Sequence, residues 1–365
     1  TNFFEPFRHE AFLATRDVWD QEMPSENRDV YRGEFLCHKI LQALGTKDHP
    51  TLETVARMDE AQRVEFVRRF MGPRYSEGYS KGVHDQDAAR ILKALVEMQS
   101  TIGLLRFDAG CRAMAVLFWR SFGNRQQKSH MEARLQGFGT VTQAFPAMAK
   151  QSGYIAELQR MLDEFNAEYQ LFDQADTSAA AEYLFCELTT ESDFCVSRRA
   201  AELLDAFHSQ LRASGFTDRF QKSINAVKRA PASSFKLLKD WATAFASTRG
   251  NEEDLDYVDE VAVQLMQGHV DPKWIVDGHV SRVISQMVGS HPRISQGKYH
   301  LHYNHFVKRL DHYDQHVLPR YHRYIELKKE IVDAARDDMR LDEFRPRVLT
   351  SFVRNQLIDP VYLPI

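Results

Sequence analysis

Apolar residues recur every three to four positions along most of this 365-residue chain, and that spacing limits the fold more than any other feature. Leu36, Ile40, Leu41 and Leu44 form one stripe, and Ile91, Leu92, Leu95 and Met98 form another. Ile155, Leu158, Leu162, Phe165, Tyr169 and Phe172 keep the 3.6-residue period of an amphipathic helix. Stop and start signals divide these stripes. Asp59-Glu-Ala-Gln62 reads as a capping box before Val64, Val67 and Phe70, and Gly72-Pro73 ends that helix. Asp108 and Ser197 can each cap a helix, with Gly123 and Gly215 as the stops. A long amphipathic helix is expected from Pro319 to Met339. Strand signals are few, and the best is a small hairpin at about 293–301. The expected fold is therefore all-α, a multi-helix array or bundle with at most that one hairpin.

Composition narrows the class further. Hydrophobic content of 43% with 27% charged residues is that of a folded chain rather than a disordered one. A net charge of −4 provides no global attraction to nucleic acid or anionic lipid. No apolar run reaches the ~18 residues that a bilayer requires, and the N-terminus lacks a signal-peptide pattern. Cys37, Cys111, Cys186 and Cys195 form no C-x-x-C pair and read as reduced, largely buried thiols, so a cytoplasmic location is expected. Loop-like stretches at 123–130 and 248–254 suggest helical subdomains over 1–125, 126–250 and 251–345. The remaining residues, 346–365, read as a connector. Phe352, Val353, Leu357, Ile358, Val361, Leu363 and Ile365 make it too apolar to leave in water. With Thr1 in place of an initiator Met, the chain is expected to be a segment of a larger protein.

Three constellations could carry chemistry. The densest is Arg74, Tyr75, Glu77, Gly78, Tyr79, Gly82, His84, Asp85 and Asp87. Its expected role is structural: Asp85 or Asp87 caps the next helix, and His84 is hydrogen-bonded in the turn. The alternative is an HD-type metal-dependent phosphohydrolase, with His84-Asp85 as adjacent ligands and His38 as the upstream one. Seven histidines after position 290 (His291, His300, His302, His305, His312, His316 and His322) include His302 and His305 on one helix face, and imidazole suits zinc. Their spacings are irregular and no Cys is near, so they read as surface and boundary residues, and no metal is expected. Residues 253–302 could order as a winged helix-turn-helix, with helices at about 253–267 and 273–288 and Lys273 and Arg282 toward DNA. The Walker A pattern that cradles ATP phosphates is absent.

Tyr31-Arg-Gly-Glu-Phe-Leu36, the stretch Tyr75–Leu92, His291-Pro-Arg-Ile294, Arg340–Pro346 and, most specifically, Ser351–Pro364 resemble the large bacterial proteins labelled DNA repair ATPases. The resemblance implies a helical segment preceding an AAA-type ATPase domain. ATP and Mg would bind in that attached domain, and this chain would itself hold no cofactor and no catalytic residue. It further implies that Phe352, Arg354, Leu357, Asp359 and Tyr362 face the ATPase domain. Expected partners are that domain and, through assembly, copies of the chain. The function expected is coupling of nucleotide state to a substrate, partner or assembly. The alternatives are the nucleic-acid-binding module and the phosphohydrolase.

Overall fold

Several helices open in this structure where side chains accept from otherwise free backbone amides. The Asp59 carboxylate accepts from the Gln62 amide at 2.8 Å, and the Gln62 side chain returns a bond from the Asp59 amide at 3.1 Å. Asp108 accepts from Gly110 at 2.8 Å, and Ser197 Oγ accepts from Ala200 at 3.2 Å. These caps were legible in the sequence, and each satisfies a donor that the helix leaves unpaired.

The computed structural model describes residues 6–145, 152–172, 176–190, 194–268 and 271–339. The fold is a multi-helix array with two small sheets. The first part comprises α1 (Glu10–Leu13), α2 (Arg32–Ala43), α3 (Leu52–Ala56), α4 (Glu60–Met71) and α5 (His84–Ile102). The middle comprises α6 (Ala109–Ser121), α7 (Arg125–Ala144), α8 (Ser152–Tyr169), α9 (Thr177–Thr189), α10 (Arg198–Ala213), α11 (Thr217–Val227), α12 (Pro231–Arg249) and α13 (Val258–Gln267). Five strands are β1 (Val196–Ser197), β2 (Ile275–Val276), β3 (Ser281–Ser285), β4 (Ile294–Ser295) and β5 (Lys298–His302). Then follow α14 (Tyr303–His312) and α15 (Leu318–Asp338).

Apolar packing gathers these elements around two main cores. The larger runs from Phe107 to Leu265, with α13 at its centre. Positions 125 and 250, where subdomain divisions were expected, both fall within its span. The smaller core joins residues 30–105 to residues 280–313, which lie far apart in sequence. A third cluster packs Phe12 and Val18 against Tyr321 and Tyr324 of α15. Among the described residues no helix is long and apolar enough to cross a membrane.

The segment after α13 corrects the sequence reading. The helix expected at 273–288 is not formed; in its place lie β2 and β3. β1 pairs with β2 in parallel, and β3, β5 and β4 form an antiparallel sheet in that order. The hairpin expected at 293–301 is present, but β3 joins it along its other edge, with Arg282 opposite Leu301 and Ile284 opposite Tyr299. Gln296 and Gly297, both at positive φ, make the two-residue turn. Ile284, Tyr299 and Leu301 point into the smaller core while Lys298 and His300 stay exposed, the period of two expected of a half-buried sheet.

Candidate functional site

Tyr31 closes the backbone turn that starts α2, and its ring lies between His84 and His291, at centroid distances of 5.7 and 5.4 Å. Its hydroxyl donates to the fully buried Asp87 carboxylate at 2.9 Å. The same carboxylate accepts from the Val288 amide at 2.9 Å and the Gly289 amide at 2.8 Å, and Arg90 lies 3.3 Å away. Burial, together with Asp87, pushes the Tyr31 phenol far up. Gly289 is required at this crossing: a methyl group there would lie 2.1 Å from the Tyr31 hydroxyl.

One turn further along α2, the buried Glu34 carboxylate lies between Arg293 at 3.4 Å and Arg309 at 3.0 Å. Arg309 also donates to the Asp29 carbonyl at 2.8 Å, and His291 Nε2 donates to the Asn27 carbonyl at 2.8 Å. Arg32 pairs with Glu26 at 2.6 Å and donates to the Gly78 carbonyl. Segments near 31, 87 and 290 therefore meet in one charge network anchored on the buried carboxylates of Glu34 and Asp87.

The polar loop is occupied by its own fold. His84 Nδ1 accepts from the Ser80 amide at 2.8 Å, as the turn reading expects. Burial, reinforced by the Arg32 charge, lowers the His84 pKa to about 4. Asp85 accepts from the Gly82 amide at 2.6 Å and pairs with Arg68 at 2.5 Å. Arg74 stacks over Phe70 at 5.0 Å, Tyr75 is exposed, Tyr79 is buried, and the Glu77 carbonyl accepts from Ser25. Neither Asp85 nor Asp87 caps α5, whose N-cap Val83 makes no side-chain cap bond; Asp85 holds the preceding turn, and Asp87 cross-links to residues 288–289. His38 is buried against Phe35 and Phe306, with Asp311 at 3.4 Å. It does not join His84 and Asp85 in a group of metal-ligand atoms among the described residues.

The candidate DNA contacts each have an acidic neighbour at the surface. Lys273 pairs with Asp271 at 3.1 Å, and Arg282 pairs with Glu97. Arg282 lines a groove of about 510 Å³ that holds four cations, Arg63, Arg90, Lys93 and Arg282, against three carboxylates, Asp59, Glu60 and Glu97. Phe352, Arg354, Leu357, Asp359 and Tyr362 lie outside the described residues.

Two clusters escaped the sequence reading. Inside the larger core, Arg112 pairs with Glu260 at 2.5 Å and donates to the Phe107 carbonyl at 2.7 Å. Glu260 in turn accepts from the Ser197 amide at 2.7 Å and the Ser197 hydroxyl at 2.9 Å. At the surface, Asp256, His302 and His305 converge, with His305 Nε2 at 2.9 Å from Asp256. The two His were noted in the sequence, but Asp256, 46 positions before His302, carries no local signal. The four cysteines are free, and burial pushes the Cys111 and Cys195 thiols up to about 12, which leaves them poor nucleophiles at neutral pH.

No family model, curated protein or solved structure matches this chain.

Proposed function

We propose that this chain is a non-catalytic helical module of an AAA-type ATPase, coupling the nucleotide state of an attached motor to a substrate, a partner or ring assembly. The observation that carries the reading is the commitment of the polar loop to the fold. His84, Asp85 and Asp87 spend their acceptors on Ser80, Gly82, Arg68, Tyr31, Val288 and Gly289. A loop used this way joins α2, α5 and the segment before β4 into one stiff unit. Stiffness of that kind suits a part that transmits motion, because coupling needs elements with discrete, well-packed arrangements. The resemblance supplies the motor, and the nucleotide chemistry lies with the motor's own P-loop, ATP and Mg.

The reading frame beyond Ile365 tests this reading first: a P-loop soon after the connector supports it, and a stop codon there removes it. In the full-length parent, the connector residues Phe352 and Leu357 would pack against the motor. Each buried large apolar side chain contributes roughly 1.5–3 kcal/mol, so Phe352→Ala with Leu357→Ala should impair ATPase activity or assembly while both parts stay folded. Unchanged activity and assembly in that double variant would make the segment a tether only.

A further inference from the structure

Asp256 ends up beside two histidines because of how the two cores meet. It lies in the 3-10 turn Glu252–Tyr257, whose Tyr257 belongs to the larger core. His302 ends β5 and His305 lies in the first turn of α14, flanked by Leu301, Tyr303 and Phe306 of the smaller core. One ligand atom from each of the three side chains falls within 4.8 Å of the others. The imidazoles stack with centroids 4.1 Å apart and planes 23° apart. His302 and Asp256 are half-buried and His305 is exposed, which leaves the group open to an ion from solvent.

We propose that Asp256, His302 and His305 form a site for a divalent transition-metal ion of the zinc class, clamping the two cores together at their seam. Two borderline imidazole nitrogens and one hard carboxylate oxygen are a donor set that zinc accepts, and three protein ligands leave a fourth position for water. Zinc–ligand distances of about 2.0–2.2 Å require the three ligand atoms to close in and the two rings to rotate out of their stack, so that both ring planes meet at the ion. Asp108 and Glu253 add negative potential at the rings, opposed by Lys308. Binding gives up the long 3.4 Å bond by which His302 Nδ1 caps α14 and the hydrogen bond between His305 and Asp256. The metal replaces both with stronger bonds, and each ring binds as the neutral base.

The test is calorimetric titration of zinc chloride into the full chain after EDTA treatment and dialysis, with cobalt chloride as a visible-absorption probe of the same site. The expected result is one equivalent bound at micromolar or tighter affinity, and a melting temperature that rises with zinc. His305→Ala, which leaves the His302 cap in place, and Asp256→Asn should each weaken binding by at least ~10-fold and abolish the thermal shift. Circular dichroism without metal checks that both variants fold. The paired variant His312→Asn with His316→Asn should bind as the wild type does; those rings also lie close, at 5.1 Å. Three results would overturn the proposal: no binding below ~1 mM, binding unchanged in folded His305→Ala, or binding lost with the His312 and His316 pair instead.

Discussion

Asp87 is buried with no access to water, and its two oxygens accept from Tyr31 and from the Val288 and Gly289 amides. Removing the carboxylate orphans three donors at once. Asp87→Ala is therefore expected to cost about 3–5 kcal/mol, the range for breaking a buried charged network, as read by urea denaturation. Gly289→Ala forces a methyl against the Tyr31 hydroxyl and should cost about 1–3 kcal/mol. If either variant melts like the wild type, the crossing is not a structural joint. The same neighbourhood sets an acid limb. Burial first, and the Lys39 and Arg32 charges second, lower the pKa values of His38 and His84 to about 4. The unfolded value is about 6.5, so between those pH values the unfolded chain binds more protons. Stability should therefore be complete above pH ~6.5 and fall as pH drops toward ~4, by up to ~1.4 kcal/mol per pH unit per histidine. His84→Asn keeps an acceptor for the Ser80 amide but cannot take the proton, so its stability-against-pH curve should be shallower over that window. An identical slope would assign the acid limb elsewhere. His84 was legible as a turn residue because its partner is four positions away. Asp87 was not, because Tyr31 lies 56 positions upstream and Val288 and Gly289 lie 201 and 202 positions downstream, and no local pattern encodes them.

At the scale of elements, the capping signals at Asp59, Asp108 and Ser197 translated directly into structure, because a cap is a contact between neighbours in sequence. Asp59→Ala should cost about 0.5–2 kcal/mol, measured as a fall in the urea midpoint with an unchanged slope; no change would mean that the box at 59–62 is only decorative. The strand β3 was missed for a physical reason. Ile275, Val276, Val280, Val283, Ile284 and Met287 fall at spacings that also fit a helix face. The β-branched run and the Asp277-Gly278 turn pair were the contrary signals, and pairing with the hairpin settled the competition. The loss of that helix weakens the winged arrangement on which the DNA reading relied. Duplex binding is expected to be weak at physiological salt, with no effect of changing Lys273 and Arg282 to Glu. Nanomolar affinity that falls steeply with salt and disappears in that double variant would restore it. The long helix α15 starts at Leu318, within one residue of the Pro319 start that the sequence suggests. α14 runs into α15 through a π turn at Tyr313–Val317, in which the Leu318 amide reaches back to the Tyr313 carbonyl. Pro319, next in line, has no amide to place, and the wider turn accommodates it.

For the whole molecule, the helical class was legible because amphipathic period is a property of each segment alone. The grouping into cores was not. The smaller core is built from residues 30–105 and 280–313, and that closure depends on contacts such as Asp87 with Gly289 and Glu34 with Arg293 and Arg309. Such a construction leaves the polar loop inside a joint rather than in a cleft, and it underlies the reading of the chain as a transmitting part rather than a reacting one. The most direct test of the proposed coupling role is to measure Mg-ATP binding and turnover side by side, in this chain alone and in the chain joined to the ATPase domain that the proposal requires. The proposal predicts no saturable heat and no hydrolysis from the chain alone, with saturable turnover in the joined protein. Micromolar binding or hydrolysis by the chain alone, or no turnover by the joined protein, would contradict it.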